Sequence, residues 1–260
     1  MIHSFNPEIK GLILDMDGVL WRGSQEIGNL SYIFDKINKM GLKYIFATNN
    51  SSKSQDQYTN KLMKYDLDIQ PEIIVNSTLA TTHLLRKDFP LGTHVYLIGE
   101  NGAKETIEKQ GYIVSETDPK AVVIGLDRHL TYEKLKKATT FIRNGSKFFG
   151  TNPDSSFPLP EGEAPGAGAI IASVKTATGV EPIIAGKPNP IMMNMAIKMM
   201  DLRPEEVLVI GDRYETDILG GKRSNCKTAL VLSGVSKKSD IEKWDYKPDL
   251  ILPELRYLLE

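Results

Sequence analysis

Two aspartates one residue apart, Asp15 and Asp17, close the apolar run Gly11-Leu12-Ile13-Leu14 and are followed at once by Gly18. An unpaired charge is expensive inside a buried strand. The carboxyl end of a strand in an open α/β sheet is different, because the crevice forms there and ligands sit in it. Alternation would send the two side chains to opposite faces of a continuing strand. Gly18 lets the backbone turn, so both carboxyls can share one small volume. At ~4 Å two such charges repel by about 4 kcal/mol at an effective dielectric near 20. That calls for a cation, and a hard metal ion suits carboxylate oxygen.

Three other apolar runs end in residues of complementary kinds: Thr48 after 43–47, Lys187 after 183–185 and Asp212 after 207–210. If parallel strands present Asp15, Asp17, Thr48, Lys187 and Asp212 at one edge, three carboxylates face one ammonium, one hydroxyl and several backbone N–H groups. Mg2+ prefers octahedral oxygen and keeps a couple of carboxylates plus substrate phosphate and water. Asp15 and Asp212 would give side-chain oxygens and Asp17 its backbone carbonyl. The segment 48–52 reads as a strand end and helix start, whose N–H groups make a natural phosphate cradle. Lys187 is a point charge suited to a phosphoryl oxygen.

The elements that must position these groups alternate along the chain, apolar strands with amphipathic helices, which is the pattern of a parallel α/β architecture. Strands are expected at 11–14, 43–47, 73–75, 95–98, 121–124, 147–150, 183–185, 207–210, 229–232 and 250–252. Helices are expected near 30–40, 55–65, 103–110, 131–143, 168–178, 192–200 and 217–224. The stretch 151–168 is rich in Pro and Gly and reads as loop. The polar strand ends all fall outside roughly 80–181. The middle third therefore reads as a separate domain, inserted at 80–181 into a core made of 1–79 and 182–260.

Bulk composition narrows the class. The chain has 260 residues, is 41% hydrophobic and 25% charged, and carries 32 basic against 33 acidic residues. That balance offers no general attraction to nucleic acid or anionic lipid, and no run reaches the ~20 apolar residues of a membrane span. The first residues lack signal-peptide architecture. A single cysteine, Cys226, cannot form an internal disulfide and reads as a small buried apolar group. A reducing, cytoplasmic setting is the expectation. His3, His83, His94 and His129 show no metal-ligand spacing. Gly186-Lys187 is no nucleotide P-loop, since Pro188 stands where Ser or Thr is required.

The motif set resembles the haloacid-dehalogenase superfamily of phosphotransferases, residue by residue: Asp15-Met16-Asp17-Gly18, the strand-terminal Thr48, the isolated Lys187 of Gly186-Lys187-Pro188, and Gly211-Asp212 followed by Asp217. It is similar more closely to the NagD-like, p-nitrophenyl-phosphatase branch. The supporting text is Asp17-Gly18-Val19-Leu20-Trp21-Arg22-Gly23, Thr48-Asn49-Asn50-Ser51-Ser52, Gly125-Leu126-Asp127, Thr151-Asn152-Pro153-Asp154 and Pro165-Gly166-Ala167-Gly168. The resemblance implies a Rossmann-like, doubly wound parallel sheet core with an inserted α/β cap domain. It implies a Mg2+-dependent phosphatase of small-molecule phosphate esters. Asp15 would be the nucleophile and Asp17 the acid and base. Thr48, Asn49, Asn50, Lys187 and Gly18 would be the phosphate-contacting set, with Asp15, Asp17 and Asp212 on the metal and Asp217 supporting it. It permits a homodimer. A phosphotransferase or mutase using the same site stays open, as does a phosphoaccepting switch like a response-regulator receiver.

Overall fold

The strand Gly11–Leu14 is buried along its whole length. In the computed structural model, which describes Ile2, residues 5–159 and residues 162–259, it lies within a six-stranded sheet. The order is Leu250–Leu252, Lys227–Val231, Val207–Gly211, Gly11–Leu14, Lys43–Thr48 and Ile74–Asn76. The pairings of the first five are parallel, with Leu12 opposite Leu208 on one side and Tyr44 on the other. A parallel sheet is covered on both faces, so its strands read as continuous apolar runs. The chain first steps from Gly11–Leu14 to Lys43–Thr48 through the helix Leu30–Lys39. Later it places Val207–Gly211 on the opposite side. The winding therefore reverses between these central strands, and their carboxyl ends flank the switch point where α/β sheets hold ligands.

Local signals set the elements. Asn29 caps Leu30–Lys39 by accepting from the Tyr32 N–H at 2.9 Å, and Leu30, Ile33, Phe34 and Ile37 supply its buried stripe. Glu206 ties the entry of two central strands together, taking Lys10 at 2.6 Å and the Arg203 guanidinium at 3.2 Å.

The chain divides into two units. The first comprises Met1–Thr48, Tyr58–Val75 and Lys187–Glu260, the second Asn49–Gln57 and Asn76–Gly186. The second has its own five-stranded parallel sheet, in the order Ile183–Ile184, Lys147–Gly150, Ala121–Ile124, His94–Ile98 and Ile113–Val114. Its core gathers Ile98, Val122, Ile124, Phe148, Ala138 and Ile171 from strands and from the helices Tyr132–Arg143 and Ala167–Thr178.

Three expectations need correction. The stretch 151–168 is not all loop: Ser156–Leu159 pairs antiparallel with Gly162–Pro165. Prolines are tolerated there because a two-stranded ribbon is all edge. Pro160, Glu161 and His3 lie outside the described residues. The helix after Thr48 begins at Gln55, not within 48–52. Asn50 takes the Ser52 N–H at 3.0 Å in a side-chain turn, and Ser54 and Gln57 exchange caps. The segment 217–224 opens as a π-helical turn, Tyr214–Ile218, before the α-helix Leu219–Arg223. Among the described residues no helix is long and apolar enough to cross a membrane.

Candidate active site

Asp15 continues the first strand by donating its N–H to the Ile210 carbonyl at 2.9 Å, so its carboxylate leaves the sheet where buried backbone ends. Asp212 leaves the neighbouring strand one residue past Gly211. Asp217 stands on the π-helical turn behind it. The three carboxylates offer oxygens that all lie within 4.8 Å of one another. Lys187, 1% exposed, donates to Asp15 Oδ1 at 2.7 Å, to Asp217 Oδ1 at 2.5 Å and to the Ala47 carbonyl at 2.9 Å. One ammonium thus spans two strand ends and the helical turn.

The charges do not balance. Three carboxylates against one ammonium leave two negative charges in a place with little water. The protonation tendencies follow. Burial holds the Asp15 carboxyl well above the ordinary range, against the pull of Lys187. Burial, with Asp217 adding repulsion, pushes Asp212 up to about 6. Asp217 Oδ1 takes Lys187, and its Oδ2 takes the Arg213 N–H at 3.2 Å and the Thr216 hydroxyl at 3.3 Å. Asp212 Oδ2 accepts the Val235 N–H at 2.7 Å. Its Oδ1 carries no hydrogen bond among the described residues.

The remaining expected residues divide. Asp17 stays out of the acidic cluster; its side chain is exposed and accepts from Trp21 Nε1 at 2.7 Å. Thr48, 2% exposed, directly follows the Lys187-bound Ala47, and its hydroxyl pairs with the buried Tyr58 hydroxyl, which also senses Asp17 and Asp15. Gly18 has φ +82°, and both its backbone groups are engaged, the N–H to the Trp21 carbonyl and the carbonyl to Ser233 Oγ. A Cβ on Gly18 would stand 2.5 Å from Asp212 Oδ2. Asn49 and Asn50 belong to the second unit. Asn49 donates to Asp154 at 3.2 Å, and its carbonyl accepts from Asn152 at 2.7 Å and Ser77 at 2.5 Å.

A model of the haloacid dehalogenase-like hydrolase family matches residues 12–113, and one described as HAD-hydrolase-like matches residues 184–258. An acid sugar phosphatase of Staphylococcus saprophyticus is 36% identical over 252 residues, covering 96% of this chain and 97% of its own. The chain is a haloacid dehalogenase-like hydrolase. Solved structures refine the placement within that family. A 4-nitrophenylphosphatase from Thermotoga maritima superposes with TM-score 0.92 at 33% identity, covering 96% of each chain. NagD from Escherichia coli K-12 gives 0.87 at 30%, covering 95% of this chain and 97% of its own. This hydrolase therefore falls in the NagD and nitrophenylphosphatase branch, and its enzyme class is phosphatase.

Two buried aromatic residues adjoin these groups, Trp21 beside Asp17 and Tyr58 beside Thr48. Tyr58 carries no signal of this in the sequence, and Trp21, just after the acidic pair, reads there only as packing a flap or covering the sheet edge. The loop carrying Ser233, Gly234 and Val235 has a readable signal, since Ser and Gly directly follow an apolar strand, as Thr48 does.

Proposed function

We propose that this phosphatase is magnesium-dependent and hydrolyses small phosphomonoesters through an aspartyl-phosphate on Asp15. The carrying observation is the buried Lys187 bonded at once to Asp15 and Asp217 beside a third carboxylate, Asp212. Magnesium fits this donor set. The donors are hard oxygens, the uncompensated charge equals that of a divalent cation, and among the described residues Asp212 Oδ1 takes no hydrogen bond, its Oδ2 alone accepting the Val235 N–H. Asp15 and Asp212 would hold the ion with the Asp17 carbonyl, while Asp217, whose oxygens are taken, would steady Lys187. When bound, the ion supplies positive charge against the phosphoryl oxygens.

The chain's own groups do the rest. Asp15 attacks phosphorus in line. As the phosphorus–ester oxygen bond breaks, Asp17 gives its proton to the departing oxygen. Asp17 then takes a proton from the water that displaces Asp15 from phosphorus, which restores the enzyme. Lys187 favours the ionised form of Asp15 against the opposing effect of burial and meets phosphoryl charge. The Thr48 hydroxyl would hold a phosphoryl oxygen. Positioning and electrostatics dominate such transfers. We read the second unit as a cap domain and assign to it the choice of leaving group. Sugar phosphates head the candidate esters, because the Staphylococcus relatives are named for them. The lone buried Cys226 suits a reducing, cytoplasmic setting.

Asp15→Asn is expected to abolish turnover of 4-nitrophenyl phosphate while Mg2+ still shifts the unfolding temperature; retained turnover overturns the covalent mechanism. Release of inorganic phosphate into water, without phosphorylation of an added alcohol, distinguishes hydrolysis from phosphotransfer or a mutase. A long-lived phosphorylated form without turnover would instead mark a receiver-like switch.

A further inference from the structure

Asp17 arrives at its task with one oxygen already held. Trp21 Nε1 donates to Asp17 Oδ1 at 2.7 Å, and the two residues form an isolated backbone bridge. The indole is fully buried. Tyr65 stacks on it with ring centroids 5.8 Å apart and planes 22° apart. On the ring also sits a cation: Lys61 Nζ lies 3.7 Å from its centroid. Lys61 donates to the Gly23 carbonyl at 3.1 Å and Tyr65 to the Ser24 carbonyl at 2.7 Å. Beyond Trp21, Arg22 donates to the Ser233 carbonyl at 2.6 Å, and Ser233 returns a bond to Gly18 at 2.7 Å. The turn from Asp17 to Ser24 is thus pinned on several sides, and the indole cannot swing away from the carboxylate.

We infer that Trp21 is a positioning residue for Asp17, and that Lys61 strengthens its hold through the face of the indole. The inference rests on Asp17 being the acid and base of the proposed reaction. A hydrogen bond to a carboxylate is charge-assisted and directional, so fixing Oδ1 also fixes where Oδ2 points. Oδ2 is then the oxygen that carries the transferable proton. A cation over the face of Trp is attracted by the ring's electron density, and drawing that density away makes the indole N–H a better donor. In the first half-reaction the Asp15–phosphorus bond forms, the phosphorus–ester oxygen bond breaks, its electron pair goes to the ester oxygen, and the Asp17 Oδ2 proton follows. An alkoxide needs that proton, whereas 4-nitrophenolate leaves without it.

The leaving group therefore separates positioning from packing. Single-turnover release of the alcohol or phenol is measured for glycerol 2-phosphate and for 4-nitrophenyl phosphate, with Trp21→Phe, Lys61→Met and Asp17→Asn as reference. Trp21→Phe is expected to slow transfer from the alkyl ester about tenfold more than from the aryl ester, a part of the ~10²–10⁴ that general acid catalysis supplies. KM should stay within about twofold for both esters, since the role is not one of binding. Lys61→Met should act in the same direction and more weakly, and it carries the same comparison if Trp21→Phe does not fold. Equal loss on both esters, or none, while Asp17→Asn does separate them, overturns the positioning role. If Asp17→Asn fails to separate them, Asp17 is not the acid, and the assignment falls with that premise.

Discussion

Asp212 shows how much of this site is decided by a single proton. It is 4% exposed, and burial with Asp217 nearby pushes its carboxyl up to about 6; Asp15 moves in the same direction. A carboxyl that holds its proton more tightly folded than unfolded stabilises the fold at low pH. That contribution disappears as pH climbs from the ordinary carboxylate range toward about 6. Magnesium takes only the ionised form, so the two trends oppose each other. Metal-free protein is expected to lose unfolding temperature across that interval, while the gain from added Mg2+ grows across it and levels off above. Thermal melts with and without Mg2+ at several pH values check this; a metal gain equal at both ends of the interval goes against Asp212 as a ligand. At this scale the sequence was most informative where a residue type was wrong for its surroundings. Asp15, Thr48, Lys187 and Asp212 each follow an apolar strand that should have continued. Asp217 was harder, because an acid in a helical stretch has ordinary uses, and its pairing with Lys187 depends on a π-turn that no spacing announces. The polar contacts of Trp21 with Asp17 and of Tyr58 with Thr48 were illegible because an aromatic side chain looks the same in a core and beside an acid.

Elements place those residues, and glycines mark where the fit is closest. A Cβ on Gly234 would fall 1.8 Å from Asp212 Oδ2, the oxygen that also takes the Val235 N–H. Something must give, and the carboxylate is the group in the way. Gly234→Ala is expected to lower kcat about a hundredfold, the scale of a ~1 Å misplacement, and to raise the Mg2+ concentration needed for half-maximal rate. Gly179→Ala is the control: it caps the helix Ala167–Thr178 at φ +73° with open space around it. It should lower stability by roughly 1 kcal/mol and leave the Mg2+ requirement alone. Steady-state rates over a Mg2+ titration, with melts of both variants, test the pair; an unchanged metal requirement in Gly234→Ala would deny the close fit around Asp212. The elements themselves were read well where apolar periodicity is strong, as at Ala121–Ile124 and Leu250–Leu252. The helix Ser77–Asp88 was not read. Its buried face mixes Ser77, Thr78, Thr81 and Thr82 with Ala80, Leu84 and Leu85, so hydroxyls interrupt the apolar stripe. Thr81 and Thr82 return their hydroxyls to the Ser77 and Leu79 carbonyls at 2.8 Å, which makes their burial tolerable.

Across the whole molecule, the polar strand ends read from the sequence fall outside the middle third, and the structure divides into two units, each with a sheet of its own. The sequence did not reveal that Asn49–Gln57 belongs with the second unit; a short segment's contacts are set by where its neighbours fold, not by its own composition. The first unit carries both the acidic cluster and the sole cysteine, and this gives a means of watching that unit alone. Cys226 is 6% exposed, and burial pushes its thiol up to about 12, so near neutral pH almost none of it is thiolate, the reactive form. Alkylation by iodoacetamide then requires the unit to open. A ligand that binds only the closed form lowers the open population by the factor 1 + [L]/Kd, roughly a hundredfold at a hundred times Kd. When reclosing outpaces alkylation, the rate tracks that population. Mg2+ at concentrations that saturate turnover is therefore expected to slow alkylation of Cys226 in proportion to its excess over Kd, and Asp212→Asn to remove the effect. A rate indifferent to Mg2+ in the unmutated enzyme, measured over the same titration that saturates turnover, would mean that the activating ion does not bind the unit containing Asp15, Asp212 and Asp217.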